Sequence, residues 1–146
     1  MKNKRGYVYL ILTIAIAGFI LFTSTNSGES HSALGGRVIG WVNDVIFFGR
    51  LSEGEKEAIV SVGVKLFGHF GLFLLDGAFA YLTLWQTNLK KEKRILFLIL
   101  FGAVLASCGE IVQIFSDGRT PSLTDVLTDF GGYLLPYLFV ISFRRD

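Results

Sequence analysis

A chain of 146 residues is too short for two ordinary domains, and with 51% hydrophobic residues, 14 Phe and a mean hydropathy of +0.53 it is too apolar for a typical soluble one. The formal net charge of +2 is small, and the Lys and Arg residues stand in short clusters beside apolar runs, which argues against a nucleic-acid partner. Cys108 is the single cysteine and lies inside an apolar run, so an internal disulfide is excluded and a small buried residue is expected. Composition therefore describes an integral membrane protein built as one domain over 1–146.

Lys2, Lys4 and Arg5 precede an apolar run from Tyr7 to Phe22, which the polar string Thr23 to Ser27 ends. A basic start and an apolar core suit a signal peptide. No small-residue cleavage motif follows, however, and three more hydrophobic spans do, so an uncleaved first span over 7–23 is expected. In the next segment Val38, Trp41, Val42, Val45 and Ile46 recur at helical spacing, with Arg37, Asn43 and Asp44 off that face. Such a helix, over about 37–50, suits a membrane surface or the mouth of a bundle, as a lid or as a plain surface helix.

Ser52 followed by Glu55 is a capping box, which predicts a helix start outside the hydrocarbon, with Glu53, Glu55 and Glu57 near its positive end. The second span is expected over 60–85. It carries Lys65, His69 and Asp76 at i, i+4 and i+11, a stripe that must face inward. A basic loop from Lys90 to Arg94 leads into a third span over 95–115, which places Gly102, Ala106, Glu110 and Gln113 on one side. The turn 116–121 has the Asp, Gly and Pro of a tight connection, and Ser122 or Thr124 can cap a fourth span over 123–143, ahead of Arg144 and Arg145.

The fold class expected is thus all-α, a four-helix transmembrane bundle with an extracytoplasmic amphipathic helix between the first and second spans. With four spans the basic clusters share one side, and the positive-inside rule puts both termini in the cytoplasm of a multi-pass cell-membrane protein.

A charged group at the centre of a membrane helix costs about 2.5 to 3.5 kcal/mol on insertion scales, so it faces a partner or a hydrated cavity. Counting helical rise places Lys65 and His69, Glu110 and Gln113, and Asp125 and Asp129 at one depth, each pair on a single face, with Arg119 above them in the turn. The set is nearly self-neutralising. Two accounts compete: interhelical pairs that fix the packing, and a hydrated outward pocket whose cations bind an anionic group while its carboxylates bind amines or hydroxyls. The second is preferred, because Gly102, Ala106, Gly109, Gly131 and Gly132 could bring apolar helices together without five charges.

Lys65 and His69 as K-x-x-x-H, Glu110 and Gln113 as E-x-x-Q, then Gly118, Arg119, Asp125, Asp129, Gly131 and Gly132 as G-R-x-x-x-x-x-D-x-x-x-D-x-x-G-G together resemble the VanZ-like family of small bacterial membrane proteins. Ser24 and Ser27 resemble that family's serine-rich segment, and the likeness covers about residues 24–132. Asp129 stands where many relatives carry Asn. The resemblance implies a four-helix membrane protein, some of whose relatives confer low-level resistance to teicoplanin-type glycopeptides.

Three functions follow as expectations. The first is ligand binding in the cell envelope, in which Lys65, His69, Glu110, Gln113, Arg119, Asp125 and Asp129 engage a lipoglycopeptide or the head group of a lipid-linked cell-wall precursor, among membrane lipids. The second is a hydrolase or transferase acting on an envelope lipid-linked substrate, with Glu110 or a His69 and Asp129 pair as general base. Ser107 near Glu110 is a weak nucleophile candidate, a packing residue unless a histidine is positioned beside it. A metal site at His69, Glu110 and Asp129 is disfavoured by the single histidine, and neither a metal nor a cofactor is expected. The third, a transporter, would need oligomerisation, because four helices are few and no internal repeat is visible.

Overall fold

The structure, a computed structural model, describes residues 4–25, 28–46, 48–63, 68–115 and 121–143. Every regular element among them is helical: α1 (Lys4–Ser24), α2 (Gly28–Val45), α3 (Glu53–Gly63), α4 (Gly71–Trp85), α5 (Lys91–Gln113) and α6 (Leu123–Phe143). Three of these, α1, α5 and α6, are long and apolar enough to cross a membrane, with mean hydropathies of 2.1, 2.4 and 1.5.

The second expected span departs from a single unbroken α-helix. A π-helical turn at 68–70 precedes α4, which has 15 residues. At a rise of about 1.5 Å per residue α4 alone measures about 22 Å, short of a hydrocarbon core of about 30 Å. Gly63, Gly68 and Gly71 flank the change of winding, and glycine is the weakest ordinary helix former. The wider turn is held from outside: Phe70 packs on α6 so closely that a Cβ at Gly132 would sit 2.9 Å from its ring and 3.0 Å from its carbonyl oxygen.

Helix starts follow local chemistry. The Ser52 amide donates to Glu55 Oε2 at 2.8 Å and the Glu55 amide to Ser52 Oγ at 3.4 Å, so the expected capping box forms and α3 begins beside it. The Ser52 hydroxyl and amide hold the Glu55 carboxyl below its ordinary range. At α6 the cap is Ser122, whose Oγ accepts the Asp125 amide at 3.4 Å, and Thr124 lies inside the helix.

Side-chain contacts fix the helix directions. Thr13 on α1 meets Thr83 at the far end of α4, while Phe19, Ile20 and Thr23 line one cavity with His69, Leu72 and Phe73 near its start, so α1 and α4 run antiparallel. His69, Gly77 and Tyr81 meet Asp129, Tyr133 and Tyr137 in register, which makes α4 and α6 parallel. Gly102 lies on the Tyr133 ring while Glu110 reaches Ser122, so α5 and α6 run antiparallel. The start of α1, the Lys90 to Arg94 cluster and the end of α6 consequently share one end of the molecule. There Arg94 lies 5.1 Å over the Trp85 ring and its Nε donates to the Leu89 carbonyl.

Polar and apolar groups share the interior, where Ile20, Phe73, Leu98, Leu105 and Tyr133 form an apolar core. Thr13, Ser24, Asp76, Thr83, Glu110, Gln113 and Asp129 are buried, whereas Ile11, Ile14 and Phe22 on α1, Val104 and Ile111 on α5 and Phe139 and Phe143 on α6 are exposed. So many large apolar side chains exposed along three helices suit a bundle solvated by lipid. Gly102 and Gly132 are buried at contacts as expected, and Gly109 faces Ser24 Oγ. Gly131 is different. It is exposed and a Cβ there would meet nothing, because it lies on the outer side of α6.

Between the first and second apolar segments, α2 starts earlier than expected and packs mainly on α3. Ile39 and Asn43 face inward, while Val38, Trp41, Val45 and Ile46 are exposed, so the apolar face turns outward and is not a roof over the bundle. Asn43 closes the turn after α2, its Oδ1 accepting the Leu51 amide at 3.0 Å and its carbonyl the Gly49 amide at 2.9 Å. Phe48 and Gly49, at φ 53° and 74°, are both left-handed in this turn, and only the second is the glycine that adopts such a φ freely.

Candidate functional site

Away from the basic end, the last turn of α5 meets the first of α6. Small residues Gly102, Ala106 and Gly109 line the inner side of α5 and carry that face on to Glu110 and Gln113, both buried. Glu110 Oε1 accepts from Gln113 Nε2 at 2.7 Å, and Glu110 Oε2 accepts from the Ser122 amide at 2.8 Å. Each carboxylate oxygen therefore has a donor, one from its own helix and one from the capping residue of the next. Position at the N-terminal end of α6 adds the favourable sign of the helix dipole. Glu110 is thus a clasp across the α5 to α6 connection as well as a candidate ligand group.

A second pair forms across α4 and α6. His69 Nδ1 lies 3.5 Å from Asp129 Oδ2, with the Asp129 side chain 4% exposed and that of His69 25% exposed. The π-turn carries His69, and Gly132, one turn beyond Asp129, admits the neighbouring Phe70, so backbone geometry on both helices sets the distance. A cavity of about 180 Å³ adjoins His69 between α1 and α4.

The expected residues fall into three groups. Glu110 with Gln113, and His69 with Asp129, are paired as described. Asp125 is half-buried in the first turn of α6, with its amide on the Ser122 cap. Lys65, Gly118 and Arg119 lie outside the described residues. No group of three or more His, Cys, Asp or Glu side chains able to hold a metal occurs among the described residues. Ser107 is exposed on the outer side of α5 and so does not accompany Glu110 into the interior, which removes it as a nucleophile for this site.

Asp76 lies deeper on the inner stripe. It is 0% exposed, and neither carboxylate oxygen has a hydrogen-bond partner among the described residues. Next to it, Gly77 touches the Tyr133 backbone, and the Tyr133 hydroxyl is likewise buried without a partner there. Spacing had placed Asp76 inward; nothing local to Tyr133 announced that its ring would fill the notch at Gly102. The Ser122 amide was also missed as a partner of Glu110. Its only sequence signal is the cap, which says where α6 starts and not what the amide meets.

A family description, VanZ/LLP1, matches residues 8–144, almost the whole chain. No curated protein and no solved structure matches it.

Proposed function

The chain belongs to the VanZ/LLP1 family, and on that premise we propose that it is a four-span protein of the bacterial cell membrane whose outward polar site binds the head group of an envelope amphiphile. Beside α1, α5 and α6, the remaining span, the second in chain order, is built on α4 and the π-turn before it. Both termini are cytoplasmic, since the basic clusters at one end of the molecule are held by the positive-inside rule. The amphipathic α2 then lies on the outer side.

The observation that carries the reading is the His69–Asp129 pair at 3.5 Å beside a cavity, at the same end of the bundle as the Glu110 clasp. A pair that served packing alone would be sealed, whereas a quarter of the His69 side chain is exposed. Lys65, four residues before His69, and Arg119, in the connection that Glu110 braces, supply cations for a phosphate or carboxylate, Arg through its planar fork and Lys as a point charge. The biological role in this reading is low-level protection against teicoplanin-type lipoglycopeptides, through a head group on the drug or on the lipid-linked precursor it attacks.

With matched membrane expression in a susceptible host, Glu110→Gln and Arg119→Ala are expected to abolish any protection that the parent confers. Unchanged susceptibility in both variants removes this site from the function. A second reading, a membrane hydrolase or transferase, draws on the same pair: Asp129 would orient His69 as general base toward water. Turnover of a labelled lipid-linked precursor by purified protein, lost in His69→Ala, would select it over binding.

A further inference from the structure

The cavity beside His69 has one polar end and apolar walls. Phe19 and Ile20 of α1 face Leu72 and Phe73 of α4 across it, with His69 and Thr23 at the polar end. Gly68, without a side chain, leaves the space open next to His69. On the outer side the wall merges with the lipid-facing surface of α1, where Phe19 and Phe22 are 52% and 62% exposed. Water has few partners against such walls, and an apolar cavity stays dry unless something apolar fills it.

Size narrows the occupant. A volume of about 180 Å³ is below the range of about 300 to 1,000 Å³ usual for whole small-molecule sites. At roughly 30 Å³ each, the share of a water in the liquid and similar to that of a methylene, it holds about six such groups. A short stretch of one hydrocarbon chain fills this volume, and no room is left for a second chain.

We propose that this cavity is a chain subsite. It receives the first methylenes of a single alkyl or acyl chain, from an amphiphile whose anionic head group lies at His69. The inference rests on the reading of the polar layer as a head-group site and adds the part of the ligand that reading leaves open. A chain that enters between α1 and α4 reaches the site laterally from the lipid, so the head group need not cross the hydrocarbon.

The test uses the full chain in phospholipid nanodiscs and a hexadecyl phosphate probe with a photoreactive diazirine on the first third of its chain. Label mapped by mass spectrometry is expected on Phe19, Ile20, Leu72 and Phe73, competed by unlabelled hexadecyl phosphate and not by butyl phosphate. Leu72→Trp fills the cavity and is expected to lower that label about tenfold or more. Competition decides alone should this variant misfold. Label spread evenly over the lipid-facing Val104, Leu138 and Phe139, without competition, overturns the subsite. Label on the four wall residues competed equally by hexadecyl trimethylammonium keeps the chain subsite and sinks the anionic head-group reading instead.

Discussion

At Asp76 the bundle holds two carboxylate oxygens with no hydrogen-bond partner among the described residues, in a side chain that is 0% exposed. A buried polar group left unsatisfied costs about 1 to 3 kcal/mol, more when charged. Leu has the same branching at Cγ without that cost, so Asp76→Leu is expected to raise stability by about 1 to 3 kcal/mol, read as a shift in unfolding by SDS in mixed micelles. A loss of stability would mean that Asp76 holds a partner. Glu110 is the opposite case. Its oxygens satisfy the Gln113 side chain and the Ser122 amide, so Glu110→Ala strands two donors and is expected to cost about 2 to 4 kcal/mol in the same assay. Glu110→Gln retains an acceptor for one of them and should cost less. That difference separates the clasp from any ligand role, because ligand binding would suffer in both variants.

Among the elements, α4 and α6 meet at Gly77 without a side chain between them. A Cβ at Gly77 would overlap the Tyr133 carbonyl, a backbone atom that cannot turn aside, whereas one at Gly131 would meet nothing. Gly77→Ala is therefore expected to destabilise by about 1 to 3 kcal/mol and Gly131→Ala to leave stability near that of the parent, in paired unfolding measurements. The start of α3 depends on pH. Glu55 has its carboxyl lowered from the ordinary value of 4.5 by the Ser52 hydroxyl and amide. A lowered carboxyl stabilises the fold above its unfolded value and loses that contribution as pH falls through the folded one. Protection of the Ser52 and Glu55 amides, as exchange relative to the intrinsic rate at each pH, should fall on acidification below about pH 4.5. Glu55→Gln should show no such fall, because its amide oxygen accepts the same hydrogen bonds without titrating.

For the whole molecule the decisive quantity is sidedness. The starts of α1 and α5 share an end through antiparallel and parallel contacts that run from Thr13 to Thr83 and from Ser24 to Gly109. In a cell, cysteines introduced at Asn88 and at Glu57 in a Cys108→Ser background are expected to react from opposite sides with a membrane-impermeant maleimide, Glu57 from outside. Reaction of both from one side would overturn the four-span topology. The apolar outer surface follows from its solvent: many large apolar residues face lipid, and the interior holds glycines, threonines and paired carboxylates beside a core of Ile20, Phe73, Leu98 and Tyr133.

Several features were legible in the chain because they are local or periodic. The apolar runs of α1, α5 and α6, the Ser52 and Ser122 caps and the inner faces of α5 and α6 follow from hydropathy, short-range hydrogen bonds and the helical period, which residues close in sequence fix among themselves. Hydropathy read 60–85 as one segment, but the π-turn at 68–70 depends on Phe70 finding Gly132 on a helix some sixty residues later, and no local pattern encodes that meeting. The polar layer divides for the same reason. Depth along each helix was countable from the sequence, while which carboxylate takes which donor was settled by how closely the helices approach: Glu110 with Ser122, and His69 with Asp129. Periodicity alone sent Asp76 inward; only the packing of Gly77 and Gly102 around Tyr133 decided what it would face there.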